Sequence, residues 1–159
     1  MNRRLLATYL NDHYAASVAA VQLARRAAAS NRGNAYGELL ATLASEIDQD
    51  RHALGLIMRR LGLRTDRAKA AAAWGVEKLG RLKLNGQITG YSPLSRLEEL
   101  EILALGVHGK LLLWHALRRA VEHGIPESEL DELIKRAQSQ RRRLERQRLR
   151  AADEALSEA

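Results

Sequence analysis

One stretch limits what this chain can fold into more than any other: residues 92–123, SPLSRLEELEILALGVHGKLLLWHALRRAVEH. Ser92-Pro93 opens it as a helix and Gly124 closes it, since proline is pre-shaped for the first helical position and glycine for the residue past the last. Its apolar residues do not keep to one stripe. Leu97, Leu100, Ala104, Val107, Leu111, Trp114 and Val121 follow a spacing of three then four, whereas Leu103, Leu105, Leu112, Leu113 and Leu117 fall on other sides. A helix in water that is apolar nearly all round has to be covered from several directions. The remainder of the chain is therefore expected to supply helices that wrap it.

The remainder has the right material. Two prolines in 159 residues leave long stretches free of helix breakers, and the bias toward Ala, Arg and Leu favours helix. Phe is absent, so the core is expected to rest on Leu, Ala, Val and Ile with two Trp and four Tyr. The length suits one domain over 1–159. Periodicity predicts helices over 2–30, 35–61, 66–84, 93–123 and 126–155. Leu6, Leu10, His13, Ala16, Ala20, Leu23 and Ala27 mark the inner face of the first. Tyr36, Leu40, Leu43, Ile47, Asp50, Leu54, Ile57 and Leu61 mark that of the second, with Asn34 as its N-cap. In the last helix Leu130, Leu133, Ala137, Leu144 and Ala151 face inward, and Glu127, Glu129, Asp131 and Glu132 suit its N-terminal dipole. Asn85-Gly86 has two readings, a hairpin turn or the stop of the alanine-rich helix before it; the stop is favoured because an isolated hairpin is marginal in water.

The four long helices would each span about 40 Å at 1.5 Å per residue. Short loops make hairpins of the first two and the last two. The long connection between the hairpins can travel the length of the bundle, and its helix with Trp74 would cover a second face of the 93–123 helix. The expected fold is thus an all-α, ferritin-like four-helix bundle: two antiparallel hairpins with an extra helix in the crossover. The run EIDQDRHALGLIM resembles the acidic second helix of such proteins. AAAWGVEKLGRLKLNG, SPLSRLEELE and GKLLLW are similar to a small bacterial branch of the ferritin-like superfamily. That resemblance covers nearly the full length and implies a fold more than an activity.

What the resemblance implies chemically, this chain departs from. A ferritin-like di-metal site takes a Glu from each of two helices and Glu-x-x-His from the other two. Here no Asp or Glu is followed three residues later by His; the second helix offers Glu46-x-x-Gln49 and the last Glu145-x-x-Arg148. Arginine cannot ligate a metal. The first helix has no Glu, His13 being its nearest inward polar group, and the 93–123 helix contributes Glu101. No metal or other cofactor is therefore expected, and no catalytic residue; an atypical iron or manganese site would have to use His13, Glu46, Asp50 and Glu101. Buried charges are costly unless paired. The favoured expectation is a polar core cluster of His13, Glu46, Asp50, Glu101, Arg141 and Arg148, with Arg141 or Arg148 answering Glu46 or Asp50. A guanidinium would then stand where the superfamily holds its cation.

The net charge of +7 has a single address. Between Lys135 and Arg150 lie eight basic residues and one acid, out of 26 and 19 in the chain, so the rest is neutral. This run admits a nucleic-acid-associated reading, but it has no aromatic residue to stack bases and its arginines point in several directions. Glu101, His108, His115 and Glu122 recur every seven residues, as along the flank of a packed or dimeric helix. His52 is expected to pair with Asp48 at the surface. Trp74, Glu77, Lys78, Arg81 and Lys83 are expected to dock the crossover, with Glu98 or Glu101 answering a cation. There is no cysteine for thiolate chemistry, no Gly-rich phosphate loop and no nucleophile elbow. No unbroken apolar run approaches a membrane span and no secretory leader opens the chain, so a cytoplasmic protein is expected. The expected role is non-catalytic, structural or in protein interaction, as a homodimer or with a protein partner.

Overall fold

The computed structural model describes residues 2–66, 91–120 and 124–157. They form four helices: α1 (Arg3–Ser30), α2 (Ala35–Arg60), α3 (Pro93–Ala120) and α4 (Glu127–Leu156), with no strand among the described residues. The ends fall close to where periodicity and caps placed them. Asn2 caps α1 by accepting from the Leu5 N–H, and Asn34 caps α2 by accepting from Tyr36 and Gly37 N–H at 3.0 and 3.2 Å. The predicted 66–84 helix, with Trp74, Glu77, Lys78, Arg81 and Lys83, lies outside the described residues apart from residue 66, which is not helical; the Asn85-Gly86 turn lies outside them too.

Each helix packs on two neighbours: α1 on α2 and α3, and α4 on α3 and α2, while the diagonals stay apart. Contacts at the ends fix the directions. Asn31, past the end of α1, receives 2.7 Å from Arg96 near the start of α3, and Arg96 also reaches Glu154 at the end of α4. At the opposite end Arg60 of α2 forks onto Glu129 of α4 at 2.6 and 2.7 Å. All four packed pairs are therefore antiparallel, and α2 and α3 start at the same end. Asp66 N–H donates to Asn11 at one end while the Tyr91 hydroxyl meets Asn31 at the other, so the chain between them joins opposite ends of the bundle.

The apolar interior comes in two parts. One gathers around Leu10, Ile57, Trp114 and Leu133, the other around Leu43, Leu100, Leu103 and Leu144. A polar layer lies between them. The middle of α1 departs in part from its predicted stripe: Leu6, Leu10, Leu23 and Ala27 are buried, His13 and Ala16 border a cleft, Ala20 lines that cleft while packing on the core, and Ala15 and Val21 are buried as well. A stripe of small side chains leaves room between α1 and α3 that the larger residues elsewhere fill.

α3 buries Leu97, Leu100, Leu103, Val107, Leu111, Leu113, Trp114 and Leu117 against its neighbours. The cover expected for its remaining sides is incomplete among the described residues, where Leu105 is 73% and Leu112 53% exposed. Among these residues α3 is also the one helix long and apolar enough to cross a membrane. Its buried face is nevertheless that of a bundle helix, and Glu98, Glu99, Glu101, Arg118 and Arg119 punctuate the others.

Candidate functional site

The polar layer is built by three helices whose inward stripes each give up one apolar position. On α2, Asp50 takes the place between Ile47 and Leu54; on α4, Gln140 takes the place between Ala137 and Leu144. Both side chains are buried, Asp50 at 1% exposure and Gln140 at 0%. Lys110 enters from α3, between Val107 and Trp114, with its side chain 12% exposed. Its ammonium donates 2.5 Å to Asp50 Oδ2 and 2.5 Å to Gln140 Oε1, while Gln140 Nε2 donates 3.0 Å to the same Asp50 oxygen. The three groups close a triangle. Arg136 Nε approaches the other oxygen, Oδ1, at 3.1 Å without hydrogen-bond alignment, and its Nη1 donates 3.1 Å to Gln49. One turn along, Arg143 pairs with Glu46. The antiparallel α2–α4 register sets this order, since earlier residues of α2 meet later residues of α4.

Electrostatics makes Lys110 the tense member. Burial pushes its pKa below the ordinary lysine value, the Asp50 charge and hydrogen bond oppose the shift, and the nearby Arg136 adds to it. A lone ammonium in apolar surroundings would shed its proton; the carboxylate beside it is what makes a cation tenable there. Breaking such a pair leaves an uncompensated buried charge.

Beside the layer a cleft of about 60 Å³ opens among α1, α2 and α3, lined by His13, Ala16, Ser17, Ala20, Asp50, Gly106, Lys110 and Trp114 among others. That is room for water, well short of the ~300 Å³ of an organic-ligand pocket. His13 is half-buried, edge-on to the Tyr9 ring at 4.7 Å, and burial lowers its pKa against the opposing pull of Asp12. The Trp114 indole N–H is buried without an acceptor among the described residues.

The sequence-predicted residues divide. Asp50 and Glu46 sit in or beside the layer, and His13 lines the adjoining cleft. Arg148 does not answer either carboxylate: it forks onto Glu145 at 2.8 Å and lies 3.6 Å from Glu101, on the outside of the bundle. Arg141 is exposed. The reason is helical phase, because Gln140 points inward and the next residue turns about 100° away. The cations that do the pairing, Lys110, Arg136 and Arg143, were not in the predicted cluster. Lys110 had a signal, being the sole cation between Arg96 and Arg118, and Gln140 fills the gap in the Ala137–Leu144 stripe.

Of the heptad column, Glu101 and His108 are exposed and His115 half-buried; the Glu122 side chain lies outside the described residues. His52 Nδ1 lies 2.9 Å from the Asp48 carbonyl and 3.8 Å from its carboxylate. Burial raises the Asp48 pKa, but the hydrogen bond and charge of Arg51 and the charge of Arg25 outweigh it and bring the net shift down.

Glu46 and Asp50 are engaged by cations of the chain, and Glu101 faces outward. Among the described residues no three His, Asp or Glu side chains are grouped to hold a metal ion. Compared with family models, curated proteins and solved structures, the chain matches none.

Proposed function

We propose that this chain is a ferritin-like bundle whose core carries a cation of its own in place of a metal, and that its role is structural or in protein interaction rather than catalytic. The observation that carries the reading is Asp50: a buried carboxylate with an ammonium on one oxygen and a guanidinium beside the other. In ferritin-like metal proteins carboxylates in the bundle core face the ions; here the corresponding acid faces Lys110 and Arg136. The topology supports the same reading, with two antiparallel hairpins and a long connection joining opposite ends. A cytoplasmic, homodimeric protein belongs to this proposal. Four of the eight cations on α4, namely Arg136, Arg143, Arg148 and Arg150, are already engaged by acids, which weakens a nucleic-acid role.

The test is metal content by mass spectrometry on protein purified without chelator or affinity tag. The expected result is far less than one equivalent of iron or manganese, unchanged by incubation with either. One or two ions per chain, lost on Asp50→Asn, would overturn the reading.

A further inference from the structure

α3 carries an outward stripe that the other described helices do not cover. At 100° per residue, Leu94, Glu98, Leu105, Leu112, Ala116 and Arg119 fall within about 60° of one another. Leu105 is 73% exposed, Leu112 53% and Leu94 47%. Exposed leucines recurring along one helix face call for a partner.

The charges say which partner. The acids of this face, Glu98 and Glu101, lie in the first half of α3; its bases, His115 and Arg119, lie in the second. Glu98 and Arg119 have no ion pair among the described residues. Laid antiparallel on a copy of itself about a two-fold between positions 108 and 109, the face becomes self-complementary. Leu105 meets the partner subunit's Leu112, and Glu98 meets the partner subunit's Arg119, each contact occurring twice. Glu101 falls near the partner subunit's His115 on the same flank. Gly109, with nothing within 4 Å of where its Cβ would stand, lies beside the axis and lets the backbones approach.

We infer that the exposed Leu105–Leu112 face of α3 is a homodimer interface, in which two α3 helices pair antiparallel and each acidic half meets the other's basic half. Such a contact is isologous and closed. The inference rests on the reading that the bundle acts through contacts rather than chemistry. It fails separately from the metal-free core: a metal-free monomer overturns the dimer and leaves that core standing, and a metal-loaded dimer overturns the metal-free core and leaves the dimer standing.

The experiment is sedimentation equilibrium of the full chain over a wide concentration range, with disulfide trapping. Because the chain has no cysteine, single-cysteine variants report without background. Gly109→Cys is expected to cross-link to itself on mild oxidation, whereas Leu94→Cys, about 40 Å from its copy in this register, is not. Leu105→Glu is expected to weaken dimerisation by at least about thirtyfold. Glu98→Arg and Arg119→Glu should each weaken it about two- to fivefold, and together restore it. A wild-type monomer at every concentration overturns the inference, as does association that is indifferent to Leu105→Glu or trapping at Leu94→Cys in preference to Gly109→Cys. So does a monomer in which Leu105→Glu lowers thermal stability, because residues of the same chain would then cover the face. Binding of the wild-type monomer to neutral lipid vesicles would overturn it in favour of a lipid surface.

Discussion

Two glycines of α2 show how position decides what a missing side chain is worth. A Cβ at Gly37 would stand 2.2 Å from the Asn31 carbonyl oxygen, a backbone atom that cannot swing aside. The turn joining α1 to α2 closes over this residue, and Gly37 N–H is one of the two that Asn34 caps. Gly37→Ala is expected to cost about 1–3 kcal/mol as overpacking, read from the urea midpoint. Gly55, on the same face five turns further along α2, would meet only the Tyr14 ring at 3.5 Å, an ordinary contact. Gly55→Ala should therefore stabilise by roughly 0.5–1 kcal/mol through helix propensity; equal effects at the two sites would refute the packing argument. His13 gives a titratable counterpart. Burial lowers its folded-state pKa, with Asp12 opposing, so below about pH 6.5 the unfolded chain binds a proton that the folded chain resists. Stability contributed by neutral His13 is present above that pH and is lost as pH falls toward the folded value. His13→Gln should lose less stability than wild type between pH 7.5 and 5; parallel losses would mean that the ring is solvated.

Between α2, α3 and α4 the cost of burying Asp50 is met by partners from two other helices, so the layer ties those elements to one register. Lys110→Met removes the ammonium and leaves Asp50 with the Gln140 amide and a guanidinium that does not align with it. The expected loss is about 3 kcal/mol, the scale for breaking a buried pair. Asp50→Leu with Lys110→Met should recover most of it, because both charges then leave together. A double variant as unstable as the sum of the singles would mean that the pair is not coupled. The sequence makes Asp50 legible as an inward residue through its place between Ile47 and Leu54. Its partner was not legible, since two adjacent residues of α4 differ by 100° in direction and only a fixed helix phase tells Gln140 from Arg141. Lys110 hides for a related reason, as a long side chain on the flank of an apolar helix can turn in or out.

Across the whole molecule, helix existence and pairing follow from patterning, because long apolar stripes and short loops leave few alternatives. The four described helices end within a few residues of the positions that caps and glycines mark. The cover of α3 is a different kind of question, since an outward leucine looks the same in sequence whether its own chain or another copy covers it. Net charge is legible only as a sum. Of the eight cations between Lys135 and Arg150, Lys135, Arg141, Arg142 and Arg146 are exposed with no ion pair among the described residues, and the other four are held by acids. This division predicts how the basic helix would meet a polyanion. Each phosphate neutralised adds about 0.9 to the slope of log affinity against log salt. Four available cations therefore limit that slope to about −4, and since Arg141 points away from Arg142 the attainable value is nearer −3. Duplex DNA titrated at several salt concentrations by fluorescence anisotropy should show weak, sequence-indifferent binding with that shallow dependence. A slope near −7 would require the paired arginines to leave Asp50, Glu46, Glu145 and Glu154 for phosphate. That would mean the ion pairs of α4 open on binding, and that the polar layer is not the fixed structural element argued above.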